Sequence, residues 1–451
     1  MAALDLFGDT DRLAELLAAN LPVCRGGAAQ LFACRVHEVI TGRRGKVFAL
    51  ADVDVVYADG EPASRRLVLQ QFPDSAQSVE EGRKVFRRLR RTARERGLRT
   101  VLLPWRAFVR EERLLAVPFP FDYRLHTLVD ACDAGAVTEQ LTALEGAPVV
   151  VRAVTPVRYV PEKRCQIRYD VESADGSMSS VYGKVMAEES GARLVDWMHV
   201  LQRAFARDGV AGTPAPVGYL AEWRMLLQRA VPGRTIYDLQ RESALTAGVY
   251  ERIGAALHLL HDTAVSDLPI HGPVEELALL DGMLRKQVLP EATQAEAEAL
   301  LARLRIADAC LGPQESATAH RDFYDKQLLY GAGGLWVIDL DTLARSPRAL
   351  DAGNFLAHVQ LRRRQGYLSM AAALQARAGF LAGYDSARHL DGDALHWWTA
   401  ASLLRLSVIY AVRPAWRHLA TSLVDDARAA LAFTGLVMVP SPAVRQAGGR
   451  S

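Results

Sequence analysis

The spacing of apolar positions changes partway along this chain, and the change separates a β-rich half from a helical half. Asp9 or Thr10 caps a helix through Asn20 with Leu13, Leu16 and Leu17 on one face. From 31 to 72 the pattern alternates with a period of two. Breaks at Gly42-Arg43-Arg44-Gly45 and Asp59-Gly60 predict a three-strand meander over 31–40, 47–57 and 66–72. A helix over 78–96 follows with Val85, Leu89 and Ala93 as its buried stripe, then strands at 99–103 and 114–117. Pro118-Phe119-Pro120-Phe121-Asp122 ends this unit. A second meander occupies 149–159, 165–171 and 181–185, followed by a helix over 190–207 (Leu194, Met198, Leu201, Phe205) and a strand over 224–228. Helices are then predicted at 244–263, 273–286, 291–309, 349–363, 367–383, 393–410 and 414–435.

The second meander weakly echoes the first. Arg43-Arg44-Gly45-Lys46 corresponds to Glu162-Lys163-Arg164, Asp59-Gly60 to Asp175-Gly176, and Gln70 or Gln71 lies near the place of Lys184. Two explanations stand side by side: a duplicated, non-catalytic lobe serving as a cap, and the general likeness of hairpins with polar turns.

Within the helical half lies His320-Arg321-Asp322-Phe323-Tyr324-Asp325-Lys326-Gln327, then a hairpin through Gly331-Ala332-Gly333-Gly334, then Asp339-Leu340-Asp341. A loop acid, an amide side chain five residues later, and an acid after the next strand are the parts of a site for a metal-bound phosphate. This segment resembles the kinase-like phosphotransferase superfamily in its small-molecule branch of aminoglycoside phosphotransferases, choline kinases and maltokinases. Gln327 in place of Asn, and Asp339-Leu340-Asp341 in place of Asp-Phe-Gly, favour that branch over protein kinases.

The resemblance implies an α+β fold in the bilobal protein-kinase-like arrangement with an extra α+β N-terminal cap. The implied segments are a cap at 1–125, an N-lobe at 126–229, a helical C-lobe at 230–437 and a disordered tail at 438–451. It also implies ATP and Mg²⁺ as cofactors. Asp322 takes the proton of the acceptor hydroxyl. Asp339 and Gln327 are metal ligands with Asp341 as a further one, while His320 and Asp351 are structural supports. Lys184 pairs with the phosphates, its carboxylate partner is Asp196, and Lys163 and Arg164 reach the phosphates from a turn that lacks glycine. The backbone of Gln228 to Ala230 reads the base.

Composition narrows the field. A net charge of +2 gives no global attraction to nucleic acid or membrane. The basic run from Lys84 to Arg96 is interrupted by Glu80, Glu81 and Glu95 and is better explained as a solvated helix face than as a nucleic-acid surface. Lysine occurs only at 46, 84, 163, 184, 286 and 326, which shortens the list of phosphate-pairing amines. Cys24, Cys34, Cys132, Cys165 and Cys310 show no ligand spacing and predict free thiols in a reducing compartment. The N-terminus lacks a basic, apolar leader and no run approaches the ~18 apolar residues of a membrane span, so the expected location is cytoplasmic. Arg405, Arg413, Arg417, His396 and His418 with Trp397, Trp398, Trp416, Tyr384 and Tyr410 suit a sugar-like or anionic acceptor better than a polycation. The expected activity is therefore phosphorylation of a small-molecule hydroxyl. An antibiotic O-phosphotransferase is the alternative enzyme, and a partner-docking pseudokinase the alternative of another class.

Overall fold

A computed structural model describes residues 6–42, 45–189, 191–385 and 390–432. The tail at 438–451, and Arg43 and Arg44 of the first turn, lie outside the described residues. The chain divides into two compact units, Met1–Val195 with Pro216–Ala230, and Asp196–Ala215 with Val231–Ser451.

The first unit opens with helix α1 (Thr10–Asn20), whose N-cap Asp9 accepts from the Arg12 amide. Strands β1 (Ala29–Thr41), β2 (Val47–Tyr57) and β3 (Pro62–Gln71) follow, then helix α2 (Ala76–Glu95), β4 (Ala107–Val109) and β5 (Leu114–Pro118). Residues 99–103, expected as a strand, instead form a helical turn over Arg99–Leu102 and a 3-10 turn over Leu103–Trp105. Pro104 supplies no backbone donor to a strand ladder, and Leu102 and Trp105 are buried from this turn. A helix that sequence reading passed over, α3 (Ala134–Glu145), carries the signals of one: Asp133 caps its start, and Gly146 ends it at φ +66°. Then come β6 (Val149–Val160), β7 (Arg164–Ser173), β8 (Met178–Met186), helix α4 (Gly191–Asp208), which from Asp196 on belongs to the second unit, and then β9 (Pro216–Leu220) and β10 (Met225–Arg229).

The two halves of this unit repeat one topology. Their five-stranded sheets have the orders β1-β2-β3-β5-β4 and β6-β7-β8-β10-β9, with a helix after the third strand in each. The first strands carry matching irregularities, at Leu31/Ala33 and Val36/Glu38 in β1 and at Val151/Ala153 and Pro156/Arg158 in β6. The Asp59-Gly60 and Asp175-Gly176 turns are built alike: each Asp side chain accepts the amide two residues on, and each Gly takes positive φ. Such agreement in order, bulges and turns goes beyond what two generic hairpins share. Counting from these turns, Lys184 corresponds to Val68, neither to Gln70 nor to Gln71. Leu50 pairs with Val68 as Gln166 pairs with Lys184.

The faces differ in chemistry. In the second sheet Cys165, Ile167, Tyr169, Val181 and Val185 point into a core with Val137 and Leu141 of α3, so Arg164, Gln166 and Lys184 occupy the opposite face. In the first sheet Phe48, Leu50 and Val68 hold the corresponding face, and Phe48 and Val68 are buried in that same core beside Tyr159. The other face, with Ala49, Ala51, Val53 and Val55, packs on Leu13 and Leu17 of α1. The charges of α2 are largely taken up locally: Arg87 pairs with Glu80 at 2.8 Å, Arg88 lies 4.9 Å over the Tyr123 ring, and Arg96 pairs with Asp130.

The second unit is mainly helical: α5 (Ala247–Asp262), α6 (Pro273–Leu284), α7 (Glu291–Leu311), α8 (Ala349–Arg364), α9 (Met370–Asp385), α10 (Gly392–Ala411) and α11 (Ala420–Ala432). The span expected as one helix over 414–435 begins as a 3-10 turn, Pro414–Leu419. Residues 236–241 form a separate short helix before α5. Strand β11 (Arg234–Thr235) pairs with β13 (Leu328–Gly331), which pairs with β14 (Gly334–Val337). Strand β12 (Ser316–Ala319) pairs with β15 (Ala344–Pro347). Trp397, Trp398 and Tyr384 are core residues, buried to within 1% of full coverage. Helices α5 and α9 pack backbone to backbone. A Cβ on Gly254 would stand 2.0 Å from the Phe380 carbonyl, and one on Gly383 1.9 Å from that of Glu251.

A buried ion pair ties the loop before β13 to α8. Arg362 donates from Nε and Nη2 to both oxygens of Asp325 at 2.6 and 2.9 Å, with the two side chains 1% and 3% exposed. Asp325→Ala strands a buried guanidinium and is expected to cost about 3–5 kcal/mol, whereas Asp325→Leu combined with Arg362→Met recovers most of it. Urea-unfolding midpoints check both.

Candidate functional site

The loop after β12 is fixed by one buried carboxylate. Asp351, in the first turn of α8, accepts the amides of His320 and Arg321, both at 2.7 Å. Its Oδ2 also meets His261 Nε2 at 3.1 Å, and His261 Nδ1 meets the Tyr384 hydroxyl at 2.7 Å. Burial lowers the His261 pKa against the pull of Asp351, so the ring is neutral. Its Nε2–H therefore donates to the carboxylate and Nδ1 accepts from Tyr384. The close α5–α9 approach at Gly254 and Gly383 brings these two side chains together.

His320, fully buried, binds the loop to the following acid segment. Nε2 donates to the Ile338 carbonyl at 2.9 Å, Nδ1 accepts the Asp322 amide at 3.3 Å, and Thr342 Oγ1 donates to the His320 carbonyl at 2.8 Å. Both of its ring nitrogens are thus engaged in scaffolding. Arg321 and Asp339 take left-handed backbone angles, φ +66° and +61°, at a cost of about 1–3 kcal/mol each that the surrounding bonds sustain.

Asp322, Gln327 and Asp339 converge. The amide nitrogen of Gln327 donates to Asp322 Oδ2 and to Asp339 Oδ2, at 3.3 Å each. Gln327 is itself held by its backbone, its amide bonding the Tyr324 carbonyl and its carbonyl the Ile338 amide, both at 2.9 Å. Burial pushes the Asp322 carboxyl above the ordinary range, opposed by His320, Arg405 and the Gln327 amide, with Asp339 adding to the rise.

Two carboxylates and an amide that presents oxygen when turned over are an all-oxygen donor set, which fits Mg²⁺ with phosphate oxygens and water completing its shell. No group of three or more His, Cys, Asp or Glu able to hold a metal occurs among the described residues. Asp341 lies half-buried on the following turn, Leu340–Thr342.

Behind the loop runs a polar chain that sequence reading missed. Asn354 Nδ2 donates to the Phe323 carbonyl at 3.1 Å, and Arg405 donates to Asn354 Oδ1 at 2.9 Å and to Glu276 at 3.0 Å. His271 meets Glu276 at 2.9 Å. Glu276, Asn354 and Arg405 come from three different helices, α6, α8 and α10, so no local spacing announces them. Arg405, expected on the acceptor side, is thus committed to this chain. Phe323 is core, while Tyr324 packs on His358 with centroids 4.2 Å apart.

In the first unit, the register sets Lys184 on β8 opposite Gln166, with Arg164 on the same face. The Lys163 carbonyl accepts the Ala187 amide at 3.0 Å, which fastens the turn to the end of β8. The Gln228 backbone lies in the β10 ladder, and the Ala230 amide is spent on the Ser180 carbonyl at 2.9 Å. Asp196 is exposed on α4, off the stripe of Leu194, Met198, Leu201 and Phe205, and among the described residues no ion pair involves it.

Asp351→Asn keeps the shape but loses the charged acceptor shared by two amides. Hydrogen exchange at His320 and Arg321 is expected to quicken by about tenfold or more, the equivalent of about 1.5–3 kcal/mol, as read by exchange mass spectrometry.

Residues 178–390 match the model of the phosphotransferase enzyme family. No curated protein matches the chain at a significant level. Among solved structures, a Thermobifida fusca protein assigned as a fructosamine-3-kinase is 20% identical over 66% of this chain and 100% of its own, with a TM-score of 0.46. An amicoumacin kinase in complex with AMP-PNP, Ca²⁺ and amicoumacin is 14% identical over 67% and 96%, with a TM-score of 0.48. A choline/ethanolamine kinase family protein of Mesorhizobium loti is 15% identical over 62% and 88%, with a TM-score of 0.43. The matched residues 178–390 span β8 and the whole Asp322–Gln327–Asp339 constellation, and in them the chain is similar to the kinase-like group of small-molecule phosphotransferases.

Proposed function

We propose that the protein is an ATP- and Mg²⁺-dependent kinase that phosphorylates a hydroxyl of a small molecule, a sugar or glycoside. The observation that carries this reading is the Gln327 amide set between Asp322 and Asp339, within hydrogen-bonding distance of both. Phosphoryl transfer asks a protein chiefly for placement and charge stabilisation, and a backbone locked by Asp351 and His320 provides placement.

Asp322 acts as the base. The acceptor oxygen attacks the γ-phosphorus, the bond to the β–γ bridging oxygen breaks, the hydroxyl proton passes to the Asp322 carboxylate, and ADP leaves. A carboxyl raised by burial is a better proton acceptor than a solvated one. Asp339 and Gln327, with Asp341 as a further ligand, hold the divalent cation, which when bound neutralises charge on the phosphate oxygens. Lys184, Lys163 and Arg164 take the phosphates, and the backbone from Gln228 to Ala230 takes the base.

For the acceptor, the preference for a sugar-like molecule over a polycation rests on charge. Arg321 and Arg405 stand beside Asp322, and the nearby acid Glu276 is already engaged by Arg405 and His271. Stacking on Trp397 or Trp398 no longer supports it, because both rings are core. Free cysteines fit a cytoplasmic setting. No helix among the described residues is long and apolar enough to cross a membrane.

Turnover with Mg²⁺-ATP across sugars, glycosides and aminoglycosides tests the reading. Asp322→Asn is expected to lower kcat by about 10²–10⁴ with nucleotide affinity nearly unchanged, and Asp339→Ala to lose metal-dependent nucleotide binding. Full turnover by Asp322→Asn refutes the assignment. Nucleotide binding without turnover on any acceptor marks a pseudokinase, and selective turnover of aminoglycosides marks the antibiotic-modifying alternative.

A further inference from the structure

The turn between β6 and β7, which carries Lys163 and Arg164, is anchored by the amino-terminal repeat. Its residue Glu162 takes φ +59°, a left-handed conformation that a non-glycine residue adopts at a cost. Three side chains from elsewhere hold it there. Lys46, at the end of the β1–β2 turn, stands 3.4 Å from both Glu162 carboxylate oxygens and 2.8 Å from Glu81 on α2. Gln70 on β3 donates to Glu162 Oε1 at 3.2 Å. Asp122, in the segment joining the two repeats, accepts the Glu162 amide at 2.8 Å and the Tyr159 hydroxyl at 2.6 Å. Asp122 is itself fixed by the amides of Arg124 and Leu125.

A polar hairpin turn that only reverses the chain is satisfied by water and needs none of this. Here the Lys46 and Glu162 side chains are 9% and 18% exposed. Withdrawing two such charges from water costs roughly what their attraction returns, so the pair contributes little net stability and much geometric definition. The chain next to the fixed residue leads into β7, where Gln166 pairs with Lys184 of β8. The Lys163 amide bonds the Val160 carbonyl, the Lys163 carbonyl takes the Ala187 amide, and Arg164 shares the Lys184 face.

We propose that Lys46 and Gln70 are positioning residues for the nucleotide-phosphate turn. By holding Glu162 they fix Lys163 and Arg164 for the phosphates, so a repeat with Val68 at the lysine position governs nucleotide affinity without touching nucleotide. The inference rests on the nucleotide reading of the preceding section.

Calorimetric binding of Mg²⁺-AMP-PNP to the full chain tests it, with exchange mass spectrometry over 160–166 and steady-state kinetics alongside. Lys46→Met is expected to weaken binding about three- to thirtyfold, raise KM for ATP with kcat little changed, and quicken exchange in the turn. Lys46→Arg restores binding to near the wild-type level. If Lys46→Met does not fold, Gln70→Leu, which removes a neutral anchor, gives the same direction with a smaller effect. Wild type that fails to bind the analogue overturns the nucleotide reading itself. Wild type that binds, with folded Lys46→Met or Gln70→Leu binding equally well, overturns the positioning role alone.

Discussion

The carboxylate of Asp351 is the constraint on which the site depends. One buried anion takes two consecutive amides of the loop and a neutral imidazole, and the loop can then carry left-handed residues without relaxing. Its environment is assembled at a distance. His261 and Tyr384 reach it because α5 and α9 meet at Gly254 and Gly383, where any side chain would force the helices apart. Packing between two helices with no catalytic residue therefore sets the orientation of Asp322.

The sequence was most legible where function is local. Asp322, Gln327 and Asp339 are separated by short intervals and a single hairpin, so their spacing, together with the resemblance to the kinase-like phosphotransferases, suggested their convergence. Helix α2 and its stripe of Val85, Leu89 and Ala93 were legible from period, and both three-strand meanders from alternation and turn residues. What failed was long-range or short. Strand β4 has three residues, too few for a period, and Pro104 with Trp105 set a turn where apolar content suggested a strand. The chain from His271 through Glu276, Arg405 and Asn354 to Phe323 joins residues up to 129 positions apart, and nothing near any of them predicts the others. Trp397 and Trp398, read with the acceptor side, are core, because an aromatic on a helix carries no mark of which side it faces until partners are known.

The two repeats of the first unit show one topology put to different ends. Where the second sheet shows Arg164, Gln166 and Lys184, the first shows Phe48, Leu50 and Val68 at the same register. The exchange of charge for hydrocarbon converts a face suited to an anion into one that seeks cover, and the cover it finds is the neighbouring repeat's own core.

That shared core bears on how the chain can be divided. The segment around Asp122 looks in sequence like a joint between separable pieces, but Phe48 and Val68 share one buried core with Tyr159, Cys165 and Leu128 on its far side. A polypeptide started after this joint would leave that surface open to solvent and would tend to associate with itself. The natural unit of manipulation is thus the pair of sheets together.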